Sequence, residues 1–362
     1  MKIVFVNDSI YAYALGNPSK VGGAERQQWL LACALAATGW SVTVGVRRAL
    51  DAGARRTLNG MQFVGIGRGH IFSAWYRLLS SERPDWWYWR CADHLWGPAV
   101  EIAKFRTVRT IFAAAFDADV QPRRALFRRA RWWPLYAWGL ARTDRIFVQH
   151  SQQLSKLPRR WQSKAYIVPS IAGETAIVKP HVHRKKTVAW VGMLQQSKRP
   201  DLLVEIAKKT PQVRFVICGG VSTHRSPPGY SERIVDSLRA LPNVEYRGQA
   251  VPDHARQVIA DAAILLSTSD GEGFPNTFLE AWLSGTPVVS LRIDPNYLIE
   301  RAGLGVVSGS IEKAITDIDV LLNSPKQREE IALRARRHVA EAHSEAVVAA
   351  AFERAIRGSY AS

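Results

Sequence analysis

The stretch from residue 262 to 290 constrains the fold more tightly than any other. Ala262–Leu266 is an apolar run that reads as a buried strand, and Asp270, Gly271, Gly273 and Pro275 end it. Phe278, Leu279, Trp282 and Leu283 then recur at helical spacing. Gly285 and Pro287 stop that helix, and Val288-Val289 opens another strand. Strand, glycine-rich turn, helix and strand make the unit of a parallel sheet, so an α/β fold is expected.

The turn holds the chemistry. Glu272 and Glu280 flank it, one in the loop and one on the first helical turns. Gly271 and Gly273 let backbone approach a ligand closely. Asn276 or Thr277 is expected to cap the helix, whose first N–H groups then face the ligand. Two carboxylates so placed can accept hydrogen bonds from the hydroxyls of a sugar or a ribose. The alternative is an ordinary helix whose dipole favours an acidic residue at its start.

The run Glu-Gly-Phe-Pro-Asn-Thr-Phe-Leu-Glu-Ala resembles the Glu-x7-Glu signature of glycosyltransferase family 4. The resemblance implies a GT-B fold: two Rossmann-like domains facing a cleft, with a nucleotide sugar as donor and retention at the anomeric carbon. It assigns Glu272 to the sugar hydroxyls, with the Gly273 and Phe274 amides, and Glu280 to the ribose. Pro275, Asn276 and Thr277 complete that donor segment. A second matching stretch is Gly192-Met193-Leu194-Gln195-Gln196-Ser197-Lys198, after the strand Thr187–Val191. The family has an arginine at the place of Met193 and a lysine at that of Lys198, both clamping the donor diphosphate. Here Met193 leaves Lys198 to do so, unless Arg199 or an arginine of the first domain substitutes. The family also places a His-Asp pair after a strand matching Arg109–Ala115, where this chain has Phe116-Asp117. The catalytic candidates are accordingly Asp117 and Glu272.

The length of 362 residues suggests two domains. Boundaries are expected at 1–170 for an acceptor domain, 171–186 for a linker and 187–340 for a donor domain. A helix over 341–362 is expected to return to the first domain. No apolar run approaches the roughly 18 residues that span a bilayer; Trp132–Ala141 is short and interrupted. Lys2–Val6 opens as a strand with no basic-then-apolar leader, so no signal peptide is expected. Cys33, Cys91 and Cys218 fit no metal spacing and suit a reducing compartment, which points to the cytoplasm.

The net charge is +18, concentrated in the first half: residues 1–170 hold 25 Lys+Arg against 10 Asp+Glu, and 11 of the 13 Trp. Phosphate, nucleic acid and an anionic membrane are partners for such a surface. Within it, residues 121–145 interleave arginine with tryptophan. If helical, Arg124, Arg128 and Arg131 share a face. Tryptophan beside arginine suits a membrane interface at the inner face of the plasma membrane, or stacking on sugars or bases. A solvated basic face over core tryptophans is the other reading.

In chain order, Lys2–Val6 is a strand, 7–21 a loop, Gly22-Gly23 the entry to a helix through Ala37, and Ser41–Val46 a strand. Gly-Gly exposes helix N–H groups to an anion, and the resemblance places this loop toward the donor diphosphate. Strands follow at Phe63–Ile66, Asp85–Arg90, Arg109–Ala115, Arg145–Gln149 and Ala165–Pro169. At the end of the third, Asp117 or Asp119 orients the acceptor hydroxyl, or both balance Arg123 and Arg124. His94 and His150 stand alone and receive no metal. Later strands are read at Val213–Cys218, Asn243–Tyr246 and Gly303–Val307, with helix from about Ile311 to Ser362.

The expected reaction moves a sugar from a nucleotide diphosphate to an acceptor hydroxyl, in bacterial cell-surface polysaccharide or glycolipid synthesis. The acceptor is a glycan or a lipid-linked sugar. No metal or other cofactor is expected, since Lys198 and helix N–H groups can carry the leaving charge. Two alternatives are a non-catalytic GT-B protein that binds nucleotide sugar or glycan and a nucleic-acid-binding protein. No nucleic-acid motif supports the second, and none is expected as partner.

Overall fold

In the computed structural model, residues 1–16, 22–173, 178–222 and 226–358 are described, the side chains of Phe127 and Arg128 excepted. The chain divides into two units, Met1–Ile171 with Glu345–Ser362, and Ala172–Ser344. Each is a sheet with helices on both faces.

The first unit carries β1 (Lys2–Val6), β2 (Ser41–Val46), β3 (Arg55–Leu58), β4 (Met61–Gly65), β5 (Trp86–Arg90), β6 (Arg109–Ala113), β7 (Arg145–Val148) and β8 (Ala165–Ile167). Their order is β3-β4-β2-β1-β5-β6-β7-β8. All pairs are parallel except β3 with β4. That hairpin turns at Asn59-Gly60, both at positive φ (50° and 72°), as a two-residue hairpin turn requires. The sequence reading had a strand at 63–66 alone and missed its partner.

Side chains alternate across the sheet with the period of a strand. Ile3, Phe5, Trp86 and Tyr88 join Leu31 and Leu35 of the helix Gly23–Ala37 on one face. Val4 and Trp87 join Trp75 and Trp96 on the other. Most of the tryptophan in this half is therefore core, though Trp132 and Trp138 are exposed. The helix Glu345–Arg357 closes the first face with Val348, Ala349, Phe352, Ala355 and Ile356. Trp40 Nε1 donates to Glu353 Oε1 across that contact (3.2 Å).

Three expectations change here. Residues 7–21 are not all loop: Asp8–Ala14 is helical, with Asn7 Oδ1 capping the Ser9 amide at 2.8 Å; 17–21 lie outside the described residues. Residues 121–145 form no single helix. Pro122–Ala125, a 3-10 turn at Phe127–Trp132 and a helix Trp133–Arg142 follow one another, so Arg124, Arg128 and Arg131 share no helical face. Pro122 and Pro134 explain the breaks, since proline starts helices and does not continue them. The C-terminal stretch is three helices, Ile311–Asn323, Pro325–Ala342 and Glu345–Arg357, parted at Ser324 and at 343–344.

The second unit carries β9 (Lys185–Val191), β10 (Arg214–Cys218), β11 (Val244–Tyr246), β12 (Ala262–Ser267), β13 (Val288–Ser290) and β14 (Gly305–Val307). The order β11-β10-β9-β12-β13-β14, all parallel, is that of a dinucleotide-binding fold. It reverses between β9 and β12, and ligands of such sheets bind at the carboxyl ends of the two strands that flank the reversal.

In the stretch 171–186, expected as a linker, Ile171, Ala172, His181 and Arg184 are buried while Val178 and Val182 are exposed. His181 is buried, Nε2 donates to Gly285 O (2.7 Å), and Nδ1 accepts from Arg328 Nε (3.3 Å). A proton on Nδ1 would face that guanidinium. Burial, then Arg184, holds the His181 pKa down to about 4. His338, partly buried, is shifted the same way by desolvation. The unfolded chain therefore binds more protons than the folded one between about pH 6.5 and 4. The stability contributed by His181 is expected to be full above pH 6.5 and to fall through that window, by up to about 1.4 kcal/mol per pH unit, with His338 acting in the same direction. Urea unfolding followed at pH 7, 6, 5 and 4 checks this; a flat profile refutes it.

Candidate active site

The loops after β9 and β12 are stitched together at the reversal point. Trp190 Nε1, at the end of β9, donates to Thr268 Oγ1 (3.0 Å), which donates to Lys198 O (2.7 Å). The Asp270 amide donates to Ser197 O (3.0 Å). These bonds hold Lys198 opposite Glu272, and Lys198 Nζ forms an ion pair with Glu272 Oε1. The Lys198 and Glu272 side chains are only 24% and 13% exposed, so water screens the pair weakly. Two residues chosen from separate stretches of sequence thus meet at the edge where the fold binds ligands.

Glu280 sits on the helix Asn276–Ser284 that follows, partly buried. Gly285, at φ 73°, ends that helix in the left-handed conformation that favours glycine. The expected cap differs. Pro275 holds the N-cap position and Asn276 and Thr277 are already helical, so no side chain caps the first turn. Phe274 points into the core, 5.0 Å from the His343 ring and 6.1 Å from Trp282. Gly273 lies in the same loop, beside Glu272.

Arg199, a candidate to stand in for the arginine that Met193 replaces, is paired with two carboxylates. Its Nε bonds Asp201 at 3.0 Å, its Nη2 the same carboxylate at 2.7 Å, and its Nη1 Asp270 at 3.0 Å. Hydrogen bonding to Asp201 first, and to Asp270, raises its pKa. These bonds also hold its backbone at φ 49°. Arg292 pairs with the other oxygen of Asp270. Met193 is 39% exposed and brings no charge.

In the first unit, Gly22 is the N-cap of the helix Gly23–Ala37, and a Cβ there would meet Glu25 Oε2 at 2.7 Å. Gly22 and Gly23 belong to this unit and the other donor candidates to the second. Asp117 opens a short 3-10 turn after β6 and pairs with Lys156, not with Arg123 or Arg124. His150 Nε2 lies 3.8 Å from Asp117 Oδ1, while its Nδ1 accepts the Gln153 amide. An imidazole therefore stands beside Asp117 although Phe116 occupies the expected position. Sequence reading missed it because only the pairing of β6 with β7 brings the two together. Asp119 is structural. It is buried, and its Oδ2 accepts the Ala115 and Phe116 amides (2.8 and 3.0 Å). Burial raises its pKa, against the pull of those amides. Arg90 and Gln149, at the ends of β5 and β7, line a cavity of about 20 Å³, the size of one water.

Residues 185–324 match the family described as glycosyl transferases group 1. The D-inositol 3-phosphate glycosyltransferase of Corynebacterium aurimucosum is 33% identical over 114 residues, which is 30% of this chain and 27% of that protein. The match thus spans about a quarter of that relative's length. Among solved structures, sucrose-phosphate synthase from Thermosynechococcus elongatus superposes with a TM-score of 0.76 at 16% identity, covering 99% of this chain and 98% of its own. HepE of Anabaena, solved with UDP and glucose, gives 0.75 at 14%, covering 99% of each. The chain has the GT-B fold, and residues 185–324 of its second unit match the glycosyl transferases group 1 family.

Proposed function

We propose that the chain is a retaining glycosyltransferase, which moves a sugar from a nucleotide-diphosphate sugar to an acceptor hydroxyl. The observation that carries this reading is the Lys198–Glu272 pair at the reversal of the second sheet, with Glu280 on the helix that follows. In it, Lys198 turns from Glu272 toward the diphosphate and stabilises the charge that develops as the glycosidic bond breaks. Glu272, released, accepts hydrogen bonds from sugar hydroxyls, and Glu280 accepts from the ribose. Asp117, beside His150 and Lys156, orients the acceptor hydroxyl in the first unit. No step requires a metal.

The UDP and glucose of HepE support a nucleotide-sugar donor, and the name of the Corynebacterium relative, D-inositol 3-phosphate glycosyltransferase, supports glycosyl transfer. A role in cell-surface polysaccharide or glycolipid synthesis, with a glycan or lipid-linked acceptor, fits the same family. No helix among the described residues is long and apolar enough to cross a membrane. We place the protein in the cytoplasm, held to the anionic inner face of the membrane by its basic first unit.

The test is a thermal-shift screen with UDP, GDP, ADP and their sugar conjugates. Ligand at 100 times its Kd stabilises by about 2.7 kcal/mol. One nucleotide is expected to raise the melting temperature, and Glu280→Ala to abolish most of that shift. Hydrolysis or transfer of the matching sugar separates an enzyme from a protein that only binds. No shift with any of the three bases refutes the donor site.

A further inference from the structure

The first unit holds an arginine cluster far from its candidate residues. Arg83, Arg106 and Arg109 line an open concavity of about 420 Å³, with Leu79, Pro84, Asp85 and Thr107. It lies at the amino ends of β5 and β6, whereas Arg90 and Asp117 lie at their carboxyl ends. The acids nearby are engaged elsewhere. Asp85 Oδ2 accepts the Lys2 amide at 2.7 Å, Glu82 pairs with Lys2 and Arg55, and Glu101 pairs with Arg142. Among the described residues no carboxylate pairs with Arg83, Arg106 or Arg109.

Aromatic rings position two of the three. The Arg109 guanidinium lies 4.2 Å from the Trp86 ring and that of Arg106 lies 5.3 Å from Tyr76. A guanidinium fixed over a ring keeps its in-plane N–H groups for an anion. Tyr76 is 41% exposed and lies 6.1 Å from Phe105, which is 74% exposed at the end of the helix Trp96–Phe105. An exposed phenylalanine beside unpaired arginines matches one kind of surface: acyl chains for the ring and phosphates for the guanidinium groups.

We propose that this patch docks the protein on an anionic phospholipid bilayer, with Phe105 and Tyr76 entering the interface and Arg83, Arg106 and Arg109 holding lipid phosphates. The inference rests on the membrane partner proposed above and moves its contact from residues 121–145 to the amino edge of β5 and β6. Docking there leaves the carboxyl edge, with Asp117 and His150, uncovered.

The test is co-sedimentation of the full chain with vesicles of phosphatidylglycerol and phosphatidylcholine at about 0.15 M salt, against pure phosphatidylcholine. The wild type is expected to bind only the anionic vesicles. Phe105→Ser and the double variant Arg83→Gln/Arg106→Gln are each expected to weaken binding at least about fivefold, at an unchanged melting temperature. Equal binding by both variants overturns the patch. Loss of binding in Arg131→Gln/Trp132→Ser instead overturns the patch and leaves the membrane partner standing. Failure of the wild type to bind overturns both, while the nucleotide screen judges the transferase reading separately. Capture of a single-stranded oligonucleotide but not of vesicles, lost in the same variants, also overturns the lipid assignment.

Discussion

Replacing Lys198 by methionine is expected to lower turnover about 10²–10³-fold, the cost of removing one preorganised donor from a developing anion. The donor KM is expected to change far less, because the charge on the leaving diphosphate grows as the bond breaks and Lys198 acts mainly then. The substitution also strips Glu272 of its ion-pair partner in a site that is only 13% exposed. A carboxylate left buried and unpaired costs about 1–3 kcal/mol, so stability falls as well. The double variant Lys198→Met/Glu272→Gln, set against Glu272→Gln alone, separates the two effects. If Lys198 serves only to neutralise Glu272, the double variant recovers stability and turns over as fast as Glu272→Gln. If it serves the leaving group, stability recovers and the double variant turns over far more slowly than Glu272→Gln. Steady-state kinetics and melting curves on the three variants decide between these outcomes. Arg199 offers no relief in any of them, since Asp201 and Asp270 hold its guanidinium.

This site was largely legible in the sequence because each half is local. Glu272 and Glu280 lie within one strand-turn-helix unit, and Lys198 closes the loop after another strand. What joins them is the order β9-β12 at the centre of the sheet, which the βαβ pattern implies. The surroundings of Asp117 were not legible. His150 follows the next strand, more than thirty residues on in sequence, and nothing in its own neighbourhood marks it as a partner. The tryptophan run at 86–89 was equally opaque. Trp86 and Trp87 enter opposite cores, which can be known only once both faces of the sheet are seen to be covered. The basic segment 121–145 misled for a local reason, since Pro122 and Pro134 restart the helix and scatter its arginines. The hairpin β3–β4, by contrast, announced itself through Asn59-Gly60, and that signal was there to be read.

The other large effect lies in the C-terminal helix. Phe352→Ala is expected to destabilise the first unit by about 3–5 kcal/mol, the usual cost of emptying a buried phenylalanine site. Phe352 is fully buried, and its ring meets Trp40 at 5.5 Å and Phe147 at 5.3 Å, both edge-on. Trp40 precedes β2 and Phe147 lies in β7, on opposite sides of β1 in the sheet, so neither can close on the other to fill the gap. Against the roughly 5–15 kcal/mol that holds a domain folded, such a loss is a large fraction. Because the helix Glu345–Arg357 belongs with the first unit although it follows the second in sequence, the loss is expected to be one-sided. Hydrogen exchange reads this directly. Amides of β1, β2 and β7 should lose protection, while those of β9 and β12 keep it. Leu333→Ala, at a 56% exposed position in the second unit, is the control and should change stability by no more than about 0.5 kcal/mol. Equal loss of protection in both sheets would mean that the two units unfold as one. Loss confined to β9 and β12 would mean that the helix serves the second unit, and that the division of the chain is misdrawn.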